Sequence, residues 1–354
     1  MNSKRILVYG GGIAILAVLF YLQFRSWQDF DWARFSGTIQ TIRWIHIGHA
    51  VALIYLAYGM RAIRWKIFLR PVKRASALNM VAPTLIGFTG LALLGRPGEL
   101  IRPYLIARRE QLSFSSQLAV WAVERIFDIG AFTLLLVVAA FVATAPKRLS
   151  YYASFRQAGI VFTLLVGGLT LAAIAVSRSG EALASWVERR FAHLASNLGN
   201  RIALRIREFR GGLNTIHGPA SLAWLIAVSV VMWCMIAVAY KEVALAYGVR
   251  ELRIPQTQIL LLMGSSMVGS LVQLPGVGGG SQLATIAALE HIFDVPKELA
   301  ASCGIMLWLV TFVAVVPTGL FLAHRERLSL RKLSQESHRE EERAGALSSP
   351  PPQR

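Results

Sequence analysis

The sequence predicts an all-α polytopic membrane bundle of about six full spans plus two re-entrant broken helices. Three observations predict it. Hydrophobic residues make up 55% of the 354 positions and charged residues only 16%, whereas a soluble chain carries about 25% charge. Six apolar stretches are near the ~20 helical residues that cross a ~30 Å hydrocarbon core. Two further apolar stretches run straight into Gly-Pro punctuation, which breaks a helix.

The six spans are Ile6–Phe24, Trp44–Met60, Ala119–Ala143, Ala158–Ser177, Ala220–Tyr240 and Ala300–Ala323. The first follows Lys4 and Arg5, is too long for a signal-peptide core and lacks an Ala-x-Ala site, so it reads as an uncleaved anchor. The second is short, with Arg61 and Arg64 placed to snorkel from its end. Pro317 should kink the last. Trp27, Trp32, Trp44, Trp65, Tyr151 and Tyr152 sit near span ends and read as interfacial belts. Cys234 and Cys303 both lie in apolar runs, which favours small buried hydrophobes over a disulfide.

The broken stretches are Ser76–Leu94, running into Gly95-Arg96-Pro97-Gly98-Glu99, and Thr257–Leu274, running into Pro275-Gly276-Val277-Gly278-Gly279-Gly280. Short helices follow at Leu100–Arg108 and Ser281–Phe293. Irregular backbone at membrane depth needs protein or a polar cavity around it. Each stretch could be a span followed by a loop, or a re-entrant hairpin, and charge decides. With both re-entrant and both termini cytoplasmic, the inside segments hold 26 of the 37 Lys and Arg and the outside segments 10, leaving Arg125 within a span. This agrees with a positive-inside orientation. Crossing at Ser76–Leu94 would instead place Arg96, Arg102, Arg108 and Arg109 outside. The first hairpin then enters from the cytoplasm and the second from outside, in the manner of an inverted repeat whose broken helices build a midplane site.

The transmembrane domain covers residues 1–323. Within it, 178–218 forms a cytoplasmic loop of one or two basic amphipathic helices on the inner leaflet. Residues 324–354 form a charged tail, expected to lack fixed structure. The net charge of +18 reports topology rather than nucleic-acid binding, since no basic stripe lies in a soluble domain.

Charges that topology does not explain mark a site. Glu124, Arg125 and Asp128 begin an apolar run, and ionisable residues there should face the bundle interior in pairs. Glu124 and Asp128 share a face at i, i+4; Arg125 and Asp128 can pair at i, i+3. A second cluster, Arg96, Glu99 and Arg102, has two i, i+3 pairs at the first break, beside backbone N–H groups suited to an anion. Routine ion pairing would look the same in both. The second break offers backbone, through Gly276, Gly278 and Gly279, with Ser281 and Gln282 after it. It lacks the Lys-Ser/Thr of a P-loop, and no cofactor is expected. His46 and His49 are i, i+3, but no carboxylate or Cys accompanies them at ligand spacing, so packing or interfacial hydrogen bonding is expected in place of a metal. No GxSxG or Ser-His pair indicates catalysis.

Together, Arg61-x-x-Arg64-Trp65, Gly95-Arg96-Pro97-Gly98-Glu99-x-x-Arg102 with Leu105, Glu124-Arg125-x-x-Asp128 and Pro275-Gly276-x-Gly278-Gly279 resemble the lysylphosphatidylglycerol synthase transmembrane, or flippase-like, family, over roughly residues 5–325. Many members carry a Glu shortly after the late loop, where Gln282 stands here. The resemblance implies a membrane domain that moves or handles lipid; in multiple peptide resistance factors such a domain flips aminoacylated phosphatidylglycerol. Those proteins add a soluble synthase domain, whereas only about 30 residues follow the last span here, so aminoacyl transfer is not expected. The expected function is translocation or handling of an anionic or aminoacylated lipid in a bacterial-type inner membrane, without catalysis. Arg96, Arg102 and Arg125 would contact the headgroup, and Glu99, Glu124 and Asp128 would hold those arginines or bind a coupling proton or an amine. Membrane lipids are the expected partners, and a homo-oligomer is compatible with the sequence. The rivals are a non-transporting scaffold for envelope-lipid or hopanoid assembly and a polyprenyl-pyrophosphate phosphatase using Ser281.

Overall fold

A computed structural model describes residues 31–142, 152–191, 196–213, 218–270, 273–274 and 278–326. The expected span Ile6–Phe24, Gly276 with its neighbours Pro275 and Val277, and the tail beyond 326 lie outside the described residues. The fold is an all-helical membrane bundle with one small β bridge. Its helices are α1 Trp32–Gln40, α2 Trp44–Leu69, α3 Ala77–Leu94, α4 Ile101–Glu110, α5 Phe114–Val142, α6 Tyr152–Phe191, α7 Ser196–Leu213, α8 Gly218–Ala246, α9 Gln256–Gly269, α10 Gly280–His291, α11 Lys297–Trp308 and α12 Val316–Arg325. Three described helical stretches are long and apolar enough to cross a membrane: Ala77–Leu94, Pro219–Ala246 and Lys297–Arg325.

The pattern long helix, helical hairpin, long helix occurs twice. In the first unit α2 leads to the hairpin α3–α4 and then α5. In the second, α8 leads to the hairpin α9–α10 and then the broken helix α11–α12. The leading helices pack antiparallel: Arg43 N–H donates to Ala246 O at 2.8 Å, His46 meets Glu242, and Arg64 reaches Ser229. The two units therefore run in opposite directions, as an inverted repeat requires.

In the first hairpin the chain reverses at Gly95 (φ 70°) and passes through a 3-10 turn, Arg96–Leu100, into α4. The arms touch backbone to backbone. A Cβ on Gly98 would stand 2.1 Å from the Gly90 carbonyl oxygen, so no larger residue fits. At the base, the Lys73 ammonium donates to the Glu110 carbonyl oxygen at 2.8 Å and lies 3.1 Å from its carboxylate. The chain thus leaves the hairpin at the end where it entered. The second hairpin closes the same way: a Cβ on Gly269 would stand 2.2 Å from Gly280 O. Its tip carries an antiparallel bridge pairing Gln273 with Gly279 and Leu274 with Gly278.

Several elements differ from the sequence reading. α2 runs nine residues past Met60, because nothing in Arg61–Leu69 breaks a helix before Pro71, and Arg61 and Arg64 are buried instead of snorkelling. Trp65, expected at an interface, is fully buried and donates to Gln117 at 3.0 Å. α6 continues as one helix through Ser177–Arg178, about 60 Å in 40 residues. α7 folds back on it and also packs against α5, with Arg207 paired to Glu181 at 2.9 Å. The last helix is interrupted as Pro317 predicts, by a π turn at Leu309–Val313. Of the two cysteines, Cys303 is buried and Cys234 is exposed on an apolar helix.

The hairpin contacts give a direct test. Gly98→Ala should lower the stability of the detergent-purified protein by about 1–3 kcal/mol through overpacking. Gly167→Ala, in α6 with nothing within 4 Å of the added methyl, should leave stability unchanged or raise it by up to about 1 kcal/mol. Denaturant titration of both variants reads the difference.

Candidate functional site

Six charged side chains from three helices meet inside the bundle. α2 supplies Arg61 and Arg64, α4 supplies Arg102, and α5 supplies Glu124, Arg125 and Asp128. Arg64 and Glu124 have no exposed surface, and Asp128, Arg102 and Arg61 retain 2%, 3% and 7%. Glu124 lies ten residues, about 15 Å, along α5 from Phe114.

Glu124 is the hub. Its Oε1 accepts from Arg64 Nη2 at 2.6 Å and from Arg102 Nη1 at 3.2 Å. Its Oε2 accepts from Arg102 Nη2 and from Arg125 Nη2, the latter at 3.4 Å. Asp128, one turn on, takes the remaining charge: Arg61 Nη1 donates to Oδ2 at 3.1 Å, and Arg125 Nη2 lies 3.0 Å from the same oxygen. Arg64 Nη1 lies 2.7 Å from Asp128 Oδ1 while donating to Ser229 Oγ on α8 at 3.0 Å. The backbones of α2 and α5 make almost no close approach. Side chains fill the space between them: Phe68 meets Phe127 edge to face, with ring centres 5.6 Å apart, and the arginines cross beside this apolar contact.

Aromatic faces complete the cage. The Arg102 guanidinium lies 4.5 Å from the Trp65 ring centre and 5.4 Å from that of Phe88, and Arg61 lies 5.0 Å from Phe88. Such contacts are worth up to about 2 kcal/mol when desolvated. The charges do not balance: four guanidiniums face two carboxylates, an excess of two positive charges. Arg64 Nε and Arg125 Nε are buried with no hydrogen-bond partner. Arg125 is the most exposed of the six, with 30% of its side chain accessible.

The first break lies beside the cage, with the Glu99 carboxylate near enough to attract the Arg125 guanidinium. Arg96 donates to Glu99 at 2.5 Å, as its i, i+3 spacing predicts, and to Ser270 Oγ at 3.3 Å. Ser270 ends α9, so the tips of the two hairpins touch. The expected Glu99–Arg102 pair is replaced: Arg102, on the first turn of α4, turns to Glu124, and Glu99 keeps Arg96. Gly278 and Gly279 form the β bridge, Ser281 is buried in the first turn of α10 with no partner for its hydroxyl, and Gln282 is half-buried. No hydrogen bond among the described residues joins Ser281 or Gln282 to the arginine cage.

Sequence reasoning left Arg61, Arg64 and Ser229 outside the site. The unbroken helical run to Leu69 was the available signal for the two arginines; nothing marks Ser229. It also left out Glu242, whose carboxylate reaches His46 and His49 from α8.

The family model for the lysylphosphatidylglycerol synthase TM region matches residues 8–319. A UPF0104 membrane protein of Methanothermobacter thermautotrophicus is 24% identical over 307 residues, covering 86% of this chain and 90% of its own. No solved structure matches the chain.

The pairing predicts unequal mutational costs. Glu124→Gln leaves four buried guanidiniums with one carboxylate and should cost about 3–5 kcal/mol of stability. Glu99→Gln, which loses one partner at a partly exposed tip, should cost about 1 kcal/mol or less. Unfolding midpoints of the purified variants in one detergent check the order.

Proposed function

The chain belongs to the lysylphosphatidylglycerol synthase transmembrane-region family, and from that premise we propose that it binds an anionic or aminoacylated phospholipid headgroup at the arginine cage and moves the lipid between leaflets. The membrane is the inner, cytoplasmic one, with both termini on the cytoplasmic side, a placement supported by the excess of Lys and Arg in the inside segments.

The observation that carries the reading is the unbalanced charge. Arg61, Arg64, Arg102 and Arg125 face only Glu124 and Asp128 in a low-dielectric interior. A phosphodiester brings one negative charge and acceptor oxygens suited to planar guanidinium forks. Arg125, in contact with the cage and with 30% of its side chain accessible, is the first group an entering headgroup would meet. The phosphate would then compete with Glu124 and Asp128 for the guanidinium donors. On an aminoacylated lipid, the free amine would find its partner in the carboxylates so released. No bond is made or broken in this scheme, so the chain acts as a transporter and needs no catalytic residue.

The hairpins supply the moving parts. They enter from opposite sides, and their tips meet at Arg96 and Ser270. The inverted units α2–α5 and α8–α12 can rock about the α2–α8 contact, opening the cage to one leaflet and then the other, the mode favoured by inverted repeats.

Proteoliposomes holding fluorescent phosphatidylglycerol test this. Purified wild-type protein should accelerate transbilayer movement over protein-free vesicles. Arg125→Gln should slow it about tenfold or more, the loss of one charge-assisted hydrogen bond to the headgroup. Equal rates for wild type and Arg125→Gln would contradict the assigned role.

A further inference from the structure

The far end of the α2–α8 contact brings together a donor set that the arginine cage does not use. His46 and His49 are one turn apart on α2, and Glu242 projects from α8 between them. His46 Nδ1 lies 2.7 Å and His49 Nδ1 3.5 Å from the same oxygen, Glu242 Oε2. The two imidazole rings meet edge to face, with centres 6.3 Å apart. All three donor atoms fall within 4.8 Å of one another. A tetrahedral zinc ion with ligand bonds of about 2.0–2.2 Å sets its donors roughly 3.3 Å apart, and the two spacings to Glu242 bracket that value. Rotation of the His49 ring, which is largely solvent-accessible, is enough to even them.

We propose that His46, His49 and Glu242 form a binding site for a zinc-class divalent transition metal, with the fourth coordination position open to solvent. Two imidazoles and one carboxylate favour Zn²⁺, Ni²⁺ or Cu²⁺ over Mg²⁺ and Ca²⁺, which prefer all-oxygen shells. The carboxylate is already held 2.7 Å from His46 Nδ1, so a bound metal would take the place of that hydrogen bond. Accessible edges on His49 and Glu242 leave the cluster open at the protein surface. The site lies 18 residues along α2 from Arg64, about 27 Å, and is independent of headgroup binding. It joins the leading helices of the two inverted units, so a bound ion fastens them at this end.

Tag-free full-length protein in detergent, stripped with chelator and titrated with Zn²⁺ against a chromogenic chelator, tests the site. The expected result is one saturable equivalent per chain, unaffected by millimolar Mg²⁺ and lost in Glu242→Gln and in His49→Ala. His291→Ala, which removes a histidine outside the cluster, should keep it. Gel filtration and circular dichroism establish that each variant is folded. Should Glu242→Gln fail to fold, the exposed His49 carries the test. Absence of a saturable equivalent in the wild type, or its survival in a His46→Ala/His49→Ala double variant, overturns the assignment.

Discussion

Glu124 holds three arginine side chains from three helices on one fully buried carboxylate, and much of the bundle is arranged to keep it paired. A lone charge in this interior would cost several kcal/mol, so each helix bearing a guanidinium is fixed in register against α5. α2 must extend to Arg64 to reach it, and α4 must turn back along α3 to deliver Arg102. Ser229 on α8 takes one of the donors Arg64 has left. Trp65 and Phe88 then cover the guanidinium faces that the carboxylates leave bare.

The same constraint explains why the first hairpin is so tightly closed. Arg102 reaches Glu124 only if the returning arm lies against α3, and the Gly90–Gly98 contact permits that approach. The matching Gly269–Gly280 contact closes the second hairpin. Two breaks of the same construction, in units of opposite direction, meet through Arg96 and Ser270. A polar seam between α2 and α5 results, set beside the apolar contact of Phe68 with Phe127. Such a seam is a poor way to gain stability, since a well-packed apolar core of the same volume often does as well or better. Its retention makes sense if the arginines have a second, transient partner.

The apolar runs made the helical membrane bundle legible, because spans long enough for a bilayer leave a strong compositional trace. The hairpins were legible from Gly95 to Gly98 and from the late glycine run, where no continuous helix is sterically reasonable. Glu124, Arg125 and Asp128 announced themselves as charges in an apolar stretch. Arg61 and Arg64 did not: at the end of a span, a snorkelling arginine and a buried one have the same sequence, and only the partners on α5 decide between them. Trp65 was misplaced for the same reason. The choice of Arg102 between Glu99 and Glu124, and the approach of Glu242 to His46 and His49, depend on contacts between residues 22 and 196 positions apart. No local pattern encodes them.

The account rests on the claim that the two unbalanced positive charges of the cage exist for an anionic headgroup. Native mass spectrometry of the purified protein, offered equimolar phosphatidylglycerol and phosphatidylethanolamine in mixed micelles, measures that preference directly. The account predicts that phosphatidylglycerol adducts dominate on the wild type and that the preference disappears in Arg125→Gln while the protein stays folded. Equal retention of the two lipids by the wild type, or an undiminished preference in Arg125→Gln, would contradict it.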